Sequence, residues 1–354
     1  MSETIHELRT EHLEEAVRFI REQIFELRGV RGDLAEMLPR YRWLYVDSPR
    51  RRDDFIGWGL RDDAGELVGT HLIAWQHYTR GGEEVRALVS TNSYVAELHR
   101  GPAGLGLMLN MRRRADADLC MCTTANVNSG SVWKSMKGFE MEGAGWEFLI
   151  PVNWSAWAVA GAVRKTPWPW LKSAVDAAGA MLPGVRRRFS AAAGWSVDEV
   201  RDEDLPRVST APLSDKWEPL RDEAFLRWRY PDYPGQGVRL LRLNRSAPGG
   251  ELFVGVKSGL RGYGRGLRQM VIMDVHGARE QDGEGIVAAL AAHFRGRVDL
   301  VGVRLLAAML WEESLAPLAS RRKLEFPTHW MQSRKMTLEA SEWRPSQGDG
   351  DGCM

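Results

Sequence analysis

The stretch HRGPAGLGLMLNMRRR, His99 to Arg114, decides how this chain is read. It follows a strand-like run, VSTNSYVAEL, and its Leu105, Met108 and Leu109 make one apolar face at helical spacing. The first-turn N–H groups of a helix have no internal partners, and the macrodipole leaves about half a positive charge there. Glycines let those donors close on a phosphate, so strand, glycine loop and helix in that order make an anion site. Arg100 adds a cation at the entrance. A tidier candidate, RGYGRG from Arg261 to Gly266, lies between the strand patterns ELFVGVKSGL and LRQMVIMDV. That context makes it a hairpin loop with no helix N-terminus aimed at it.

Working outward, the chain repeats itself. RWLYVDSP from Arg42 returns as RWRYPDYP from Arg227, ADLCMC from Ala117 as VDLVGV from Val298, and GFEM from Gly138 as KLEF from Lys323. The matched residues Arg42 and Arg227, Asp118 and Asp299, and Phe139 and Leu324 stand 185, 181 and 185 positions apart. A shared offset implies two copies of one fold. In the first copy TIHELR, FIGWGLR, ELVGTHLIAWQHY and EVRALVSTNSYV read as strands, and EHLEEAVRFIREQIF as a helix. The glycine loop and its helix, the strand ADLCMCTT, a helix from Ser129 to about Lys137 and a strand near Trp146–Ile150 complete it. The second copy runs VRLLRL, ELFVGV, LRQMVIMDV, the helix GIVAALAAHF, VDLVGVRLL, a further helix and HWMQSRKM. The expected class is mixed α/β with two tandem domains. Their expected bounds are 1–150 and 196–338, with a Trp/Ala-rich helical connector at 151–195 and a disordered tail at 339–354. The second copy's counterpart of the loop, DVHGAREQDGEGIV, lacks the arginine and the compact glycines, so ligand binding is expected in the first copy.

Composition narrows the partners. The chain has 354 residues, 44% hydrophobic and 27% charged, with a net charge of +1, which gives no reason to expect nucleic acid. Cys120, Cys122 and Cys353 form no disulfide framework, and no histidine spacing suggests a metal, so none is expected. The polar N-terminal stretch and the lack of a long apolar run lead to a cytoplasmic expectation. Between Pro151 and Phe189, Trp154, Trp157, Trp168 and Trp170 sit among alanines and basic residues. That segment reads first as a connector whose aromatics rest on both domains, and second as a weak membrane-surface contact.

The loop RGPAGLG and the downstream NVNSGSVWKSMKGF resemble the GNAT superfamily of acyltransferases, in its tandem form. The resemblance covers most of residues 1–150 and implies an acyl-CoA co-substrate, acetyl-CoA first. It places Arg100, Gly101, Ala103, Gly104, Leu105 and Gly106 at the pyrophosphate, with Asn126, Ser129 and Trp133 in the second signature. The loop fits with one extra residue, using Gly104 and Gly106, or with Ala103 at the first position. A tyrosine often stands at the Trp133 position as the acid for the departing thiolate. An indole is a poor proton source, so that role is unfilled or passes to Ser131, Ser135 or water.

Acyl transfer to an amine needs a base for the amine proton and a donor for the developing oxyanion. The resemblance implies that the fourth and fifth strands splay, so that backbone N–H near Tyr94 or Val95 is the donor and Glu97 or His99 the base. The acceptor is a small-molecule or peptide amine; the oligomeric state is not readable from the sequence. The alternatives are an aminoacyl-tRNA-dependent transferase of the Fem type and a CoA-binding protein without catalysis.

Overall fold

The computed structural model describes residues 3–26, 33–166, 168–180, 185–187, 189, 194–208, 213–245, 251–261, 266–325 and 327–346. The RGYGRG loop therefore lies almost wholly outside the described residues, although antiparallel strands do flank it. Two compact units result, each discontinuous in sequence. One comprises Met1–Gly145, Ser214–Gln236 and Glu325–Met354; the other comprises Trp146–Leu213 and Gly237–Leu324.

In chain order, the first unit begins with β1 (Thr4–Arg9), α1 (Leu13–Ile20), α2 (Leu34–Tyr45), β2 (Phe55–Arg61), β3 (Leu67–Arg80) and β4 (Glu83–Val95). It continues with α3 (Pro102–Met111), β5 (Leu119–Cys122), α4 (Val127–Ser135) and β6 (Phe139–Glu140). The chain then enters the second unit with β7 (Trp146–Pro151), α5 (Trp154–Lys165), α6 (Pro169–Ala180) and β8 (Trp195–Glu199). It returns for β9 (Glu218–Pro219) and α7 (Glu223–Arg229), then leaves again for β10 (Val238–Arg245), β11 (Glu251–Arg261), β12 (Leu267–His276) and α8 (Gly283–His293). After β13 (Leu300–Arg304), α9 (Leu305–Leu310), α10 (Glu312–Leu315) and β14 (Ser320–Lys323), β15 (Trp330–Gln332) rejoins the first unit.

The first sheet runs β1-β2-β3-β4-β5-β15-β6, with β9 beside β3, and the second runs β8-β10-β11-β12-β13-β7-β14. Position by position the two orders match, as two copies of one fold require. The expected boundaries miss one feature. The strand that ends the first repeat, β7, pairs with β13 and β14 in the second sheet, while β15 from the second repeat pairs with β5 and β6 in the first. Each unit thus takes its penultimate strand from the other half of the sequence, so neither 1–150 nor 196–338 is a self-contained unit.

Burial explains the strand signal. β3 is buried along most of its length because α1 and α2 contact it as well as α3, so both faces are covered. The first core gathers Trp58, Leu88, Leu107, Met108 and Trp133, and the second Ile150, Val254, Ile272, Leu290 and Trp311.

Two further expectations change. Residues 339–346 are not a disordered tail: Trp343 is fully buried, stacked on Trp217 at 5.3 Å between ring centroids. Backbone bonds from Trp217 N–H to Glu342 O (2.8 Å) and from Arg344 N–H to Trp217 O (2.9 Å) tie that stretch down. Nor is 151–195 a connector with buried aromatics. It belongs to the second unit, where Ala156, Trp157 and Ala160 rest on Leu149, Leu267 and Leu300, while Trp154, Trp168 and Trp170 remain exposed.

The RW(L/R)Y repeat also finds its explanation. Trp43 in α2 and Trp228 in α7 stack at 4.4 Å, each donating its indole N–H to the other's carbonyl at 2.7 and 2.8 Å. Arg229, fully buried, lies over both rings. These residues hold the fold.

Candidate acyl-transfer site

The site is built where β4 leaves β5. The two strands pair in parallel only from Ala87↔Leu119 to Ser90↔Cys122, after which β4 continues to Val95 beside β3 alone. The break coincides with a bulge. Asn92 is the extra residue between the pairs Leu72↔Thr91 and His71↔Ser93, and its φ of 38° is left-handed, which asparagine tolerates. Ala96 N–H donates to Val68 O at 2.9 Å. Ladder alternation then turns the N–H and C=O of Val95 to the opposite edge, the one β5 has vacated. Of Tyr94 and Val95, it is therefore Val95 whose backbone groups face that edge.

Arg100 guards this edge. Its Nε donates to Val95 O (3.2 Å) and its Nη2 to the Tyr94 hydroxyl (3.1 Å), so one guanidinium ties a phenol to the open strand. Next comes α3, whose N-terminus has no side-chain cap. Pro102 has no N–H to offer, and Leu105 N–H already bonds Gly101 O at 3.2 Å, leaving Ala103 and Gly104 as outward donors. The glycines divide by role. A Cβ on Gly101 would meet nothing within 4 Å, one on Gly104 would stand 3.2 Å from Val95 Cγ2, and one on Gly106 would stand 2.9 Å from Ile5 Cδ1. Gly104 lets the helix close on β4 and Gly106 lets it close on β1. Leu105 N–H is thus spent within the helix and Gly106 on packing, which leaves Gly101, Ala103 and Gly104 of the expected set at the open helix start.

The downstream signature folds differently from its expected roles. Asn126 caps α4: its Oδ1 accepts from Asn128 N–H and Ser129 N–H at 3.0 Å, and Ser129 Oγ accepts from Asn126 N–H at 2.9 Å. Trp133 is fully buried in the first core, with its indole N–H lacking a partner among the described residues, and offers no surface to a cofactor. Ser131 and Ser135 donate to Asn128 O (2.6 Å) and Val132 O (2.7 Å), so both hydroxyls are spent on their own helix. His99 pairs through Nδ1 with Glu3 at 2.9 Å, whereas Glu97 is exposed in the turn before α3.

A polar cluster that the sequence reading did not anticipate sits at the bulge. Tyr41 donates to Asn92 Oδ1 at 3.2 Å, Asn92 Nδ2 donates to the Tyr45 hydroxyl at 2.8 Å, and that hydroxyl meets Thr91 Oγ1 at 2.5 Å. Both tyrosines are buried and come from α2, where their i, i+4 spacing put them on one face and was the available signal. Beside them the buried His71 bonds Ser93 Oγ at 3.1 Å, and burial holds its pKa down at about 4. Burial also pushes the Cys120 thiol up to about 12, which removes it as a nucleophile. No group of His, Cys, Asp or Glu suited to a metal occurs among the described residues. A depression of about 780 Å³ lined by His77, Glu84, Asp118 and Lys335 opens at the other end of β4, away from this chemistry.

No protein-family model matches the chain, and no curated protein does. Solved structures do. A probable N-acyltransferase from Enterococcus faecalis is 11% identical, with a TM-score of 0.54 over 94% of this chain and 72% of that one. Saccharomyces cerevisiae N-myristoyltransferase with bound myristoyl-CoA is 13% identical, with a TM-score of 0.56 over 92% of this chain and 82% of that one. A GCN5-related N-acetyltransferase from Kribbella flavida is 11% identical, with a TM-score of 0.54 over 94% and 71%. The chain has the tandem GNAT fold.

Within that fold the second unit carries the same splay but a closed loop. β12 pairs with β13 only to Ile272↔Val303 and bulges between the partners of Gly255 and Val256, as β4 does. A Cβ on Gly283 at the start of α8 would stand 2.7 Å from Trp311 Cβ, so α10 and its approach cover the helix start. Glu280, Asp282 and Glu284 crowd that start with negative charge, which disfavours a phosphate.

Proposed function

We propose that the chain is an acyl-CoA-dependent N-acyltransferase working from its first unit. The observation that carries this reading is the open edge of β4 at Val95 beside the uncapped N-terminus of α3. An extended pantetheine arm can add to that strand edge while the pyrophosphate takes the Ala103 and Gly104 N–H groups. Acyl-CoA supplies a thioester carbon; the N–C bond forms, the C–S bond breaks, the thiolate takes a proton and the amine gives one up.

The chain's own residues divide that work. Val95 N–H holds the oxyanion, and Glu97, exposed at the end of the strand, takes the amine proton directly or through water. Tyr94, whose hydroxyl is held at 3.1 Å by Arg100, supplies the phenol that Trp133 cannot. Asn92, fixed between Tyr41 and Tyr45, faces the amine side. The acceptor is a small-molecule or peptide amine, and the myristoyl-CoA bound by the yeast neighbour makes long acyl chains worth testing beside acetyl-CoA.

The decisive experiment is calorimetric titration of CoA, acetyl-CoA and longer acyl-CoAs into the wild type and Gly101→Glu. Gly101 has room for a side chain, and a carboxylate at a helix start favours folding. The same carboxylate at ~6 Å from a phosphate, at an effective dielectric of about 40, weakens binding about tenfold per phosphate charge. Unchanged CoA affinity in the variant would remove α3 from the site. No binding of any thioester, with turnover of aminoacyl-tRNA instead, would transfer the assignment to the Fem-type reaction.

A further inference from the structure

The second unit carries a feature that acyl transfer does not use. α5 is capped by Asn153, whose Oδ1 accepts from Ala156 N–H at 3.2 Å and whose Nδ2 donates to Asp299 at 2.9 Å. Only one face of α5 is anchored, through Ala156, Trp157 and Ala160 on the sheet and the buried Val163. α6 contacts α5, and the turn between the two helices carries tryptophans outward. Trp168 is 57% exposed, Trp170 71% and Trp154 43%. Trp154 starts α5 with Arg187 over its ring, whereas Trp168 and Trp170 are more exposed and only two positions apart; burying large indoles is strongly favourable, so this pair calls for an occupant.

Charge identifies it. Residues 154–180, the two helices and their turn, hold Arg164, Lys165 and Lys172 against the single acid Asp176, a net charge of +2. With +1 for the whole chain, the remaining residues carry 1 − 2 = −1, so the hairpin is the net positive part. Arg164 and Lys165 are exposed and close the C-terminal end of α5, just before Trp168. Indoles sit at the headgroup level of bilayers, and flanking Lys and Arg are drawn to anionic lipid. An acidic protein partner would meet the charge, but Trp168 and Trp170, the two most exposed indoles of the hairpin, at the start of α6, suit a fluid interface better than a fixed surface.

We propose that the α5–α6 hairpin is a peripheral docking face for anionic membranes, with Trp168 and Trp170 entering the headgroup layer. No helix among the described residues is long and apolar enough to cross a membrane, so the contact is superficial. It is independent of the chemistry assigned to the first unit.

The test is co-sedimentation of the full chain with phosphatidylcholine vesicles, with and without phosphatidylglycerol at about 30 mol%. Binding is expected only to the anionic vesicles, and is expected to fall when salt rises to about 1 M and the screening length shrinks to ~3 Å. Arg164→Gln/Lys165→Gln weakens it about thirtyfold, at about fivefold per charge. Trp168→Ser/Trp170→Ser abolishes it while the thermal midpoint stays put, because both side chains are exposed. Failure to bind anionic vesicles, or equal binding by wild type and both variants, overturns the proposal. So does a concentration-dependent dimer in light scattering that the tryptophan variant loses, which would assign the face to a second copy.

Discussion

Trp43→Phe and Trp133→Phe are the same chemical change at equally buried positions, 2% and 0% exposed, yet they remove different things. Trp43 loses an indole N–H that donates to Trp228 O at 2.7 Å, leaving that carbonyl short of a partner. Trp133 loses an N–H that has no partner among the described residues. Both variants also lose ring volume, and Trp43→Phe keeps an aromatic ring against Trp228 and Arg229, so the difference is chiefly the hydrogen bond. Leaving a buried acceptor unsatisfied costs about 1–3 kcal/mol, so Trp43→Phe is expected to be the less stable by roughly 2 kcal/mol. For a unit of about 200 residues that differential corresponds to a gap of roughly 4–8 °C in melting midpoint. Trp228→Phe should match Trp43→Phe within about 0.5 kcal/mol, because the pair is reciprocal. Urea and thermal unfolding of the three variants decide the matter. If Trp133→Phe is as damaging as Trp43→Phe, the reciprocal indole bonds contribute nothing and the account of the RW(L/R)Y repeat fails.

Other outcomes can be checked alongside. His71 is held neutral down to about pH 4 while its unfolded form takes a proton near 6.5, so stability is full above pH 6.5 and falls as pH drops toward 4. The loss is on the order of 2–3 kcal/mol, and a His71→Gln variant that melts with the same acid slope as wild type would refute it. Deleting residues after 338 uncovers Trp217 and removes the buried Trp343; a large drop in midpoint is expected, whereas an unchanged melt would restore the reading of a structureless tail. Asn92→Gly keeps the φ of 38° but removes the amide between Tyr41 and Tyr45, so turnover should fall about 10–100-fold with the fold intact. Ser135→Ala should leave turnover unchanged, since that hydroxyl bonds Val132 O.

Local pattern carried the reading of the strands, α1, α3 and the order of elements, because alternation and helical spacing are properties of neighbouring residues. The repeat revealed that two copies exist. It did not reveal the exchange of β7 and β15, because both are short apolar strands that satisfy either sheet, and pairing across more than 150 positions leaves no local trace. Within the site, the order of strand, loop and helix was readable from the motif, and the end of the β4–β5 pairing only from the resemblance that the motif carries. Trp133 was misassigned because a motif position says nothing of burial. The tail's glycines and aspartates concealed one tryptophan that outweighs them. Tyr45 was visible as part of the repeat and Tyr41 only by its i, i+4 spacing from it, and their contact with Asn92 depends on a bulge that no sequence pattern announces.

The exchanged strands also bear on how the chain is made. Synthesis runs from the N-terminus, and β5 at Leu119–Cys122 must wait for Trp330–Gln332 before its outer edge is paired. At about 5–20 residues per second that interval is on the order of 10–40 s, during which a buried-type strand has an open edge on the ribosome. Completion of the first sheet therefore waits until about 200 further residues have been made, and the loss of either half of the repeat would leave the other with a gap in its sheet.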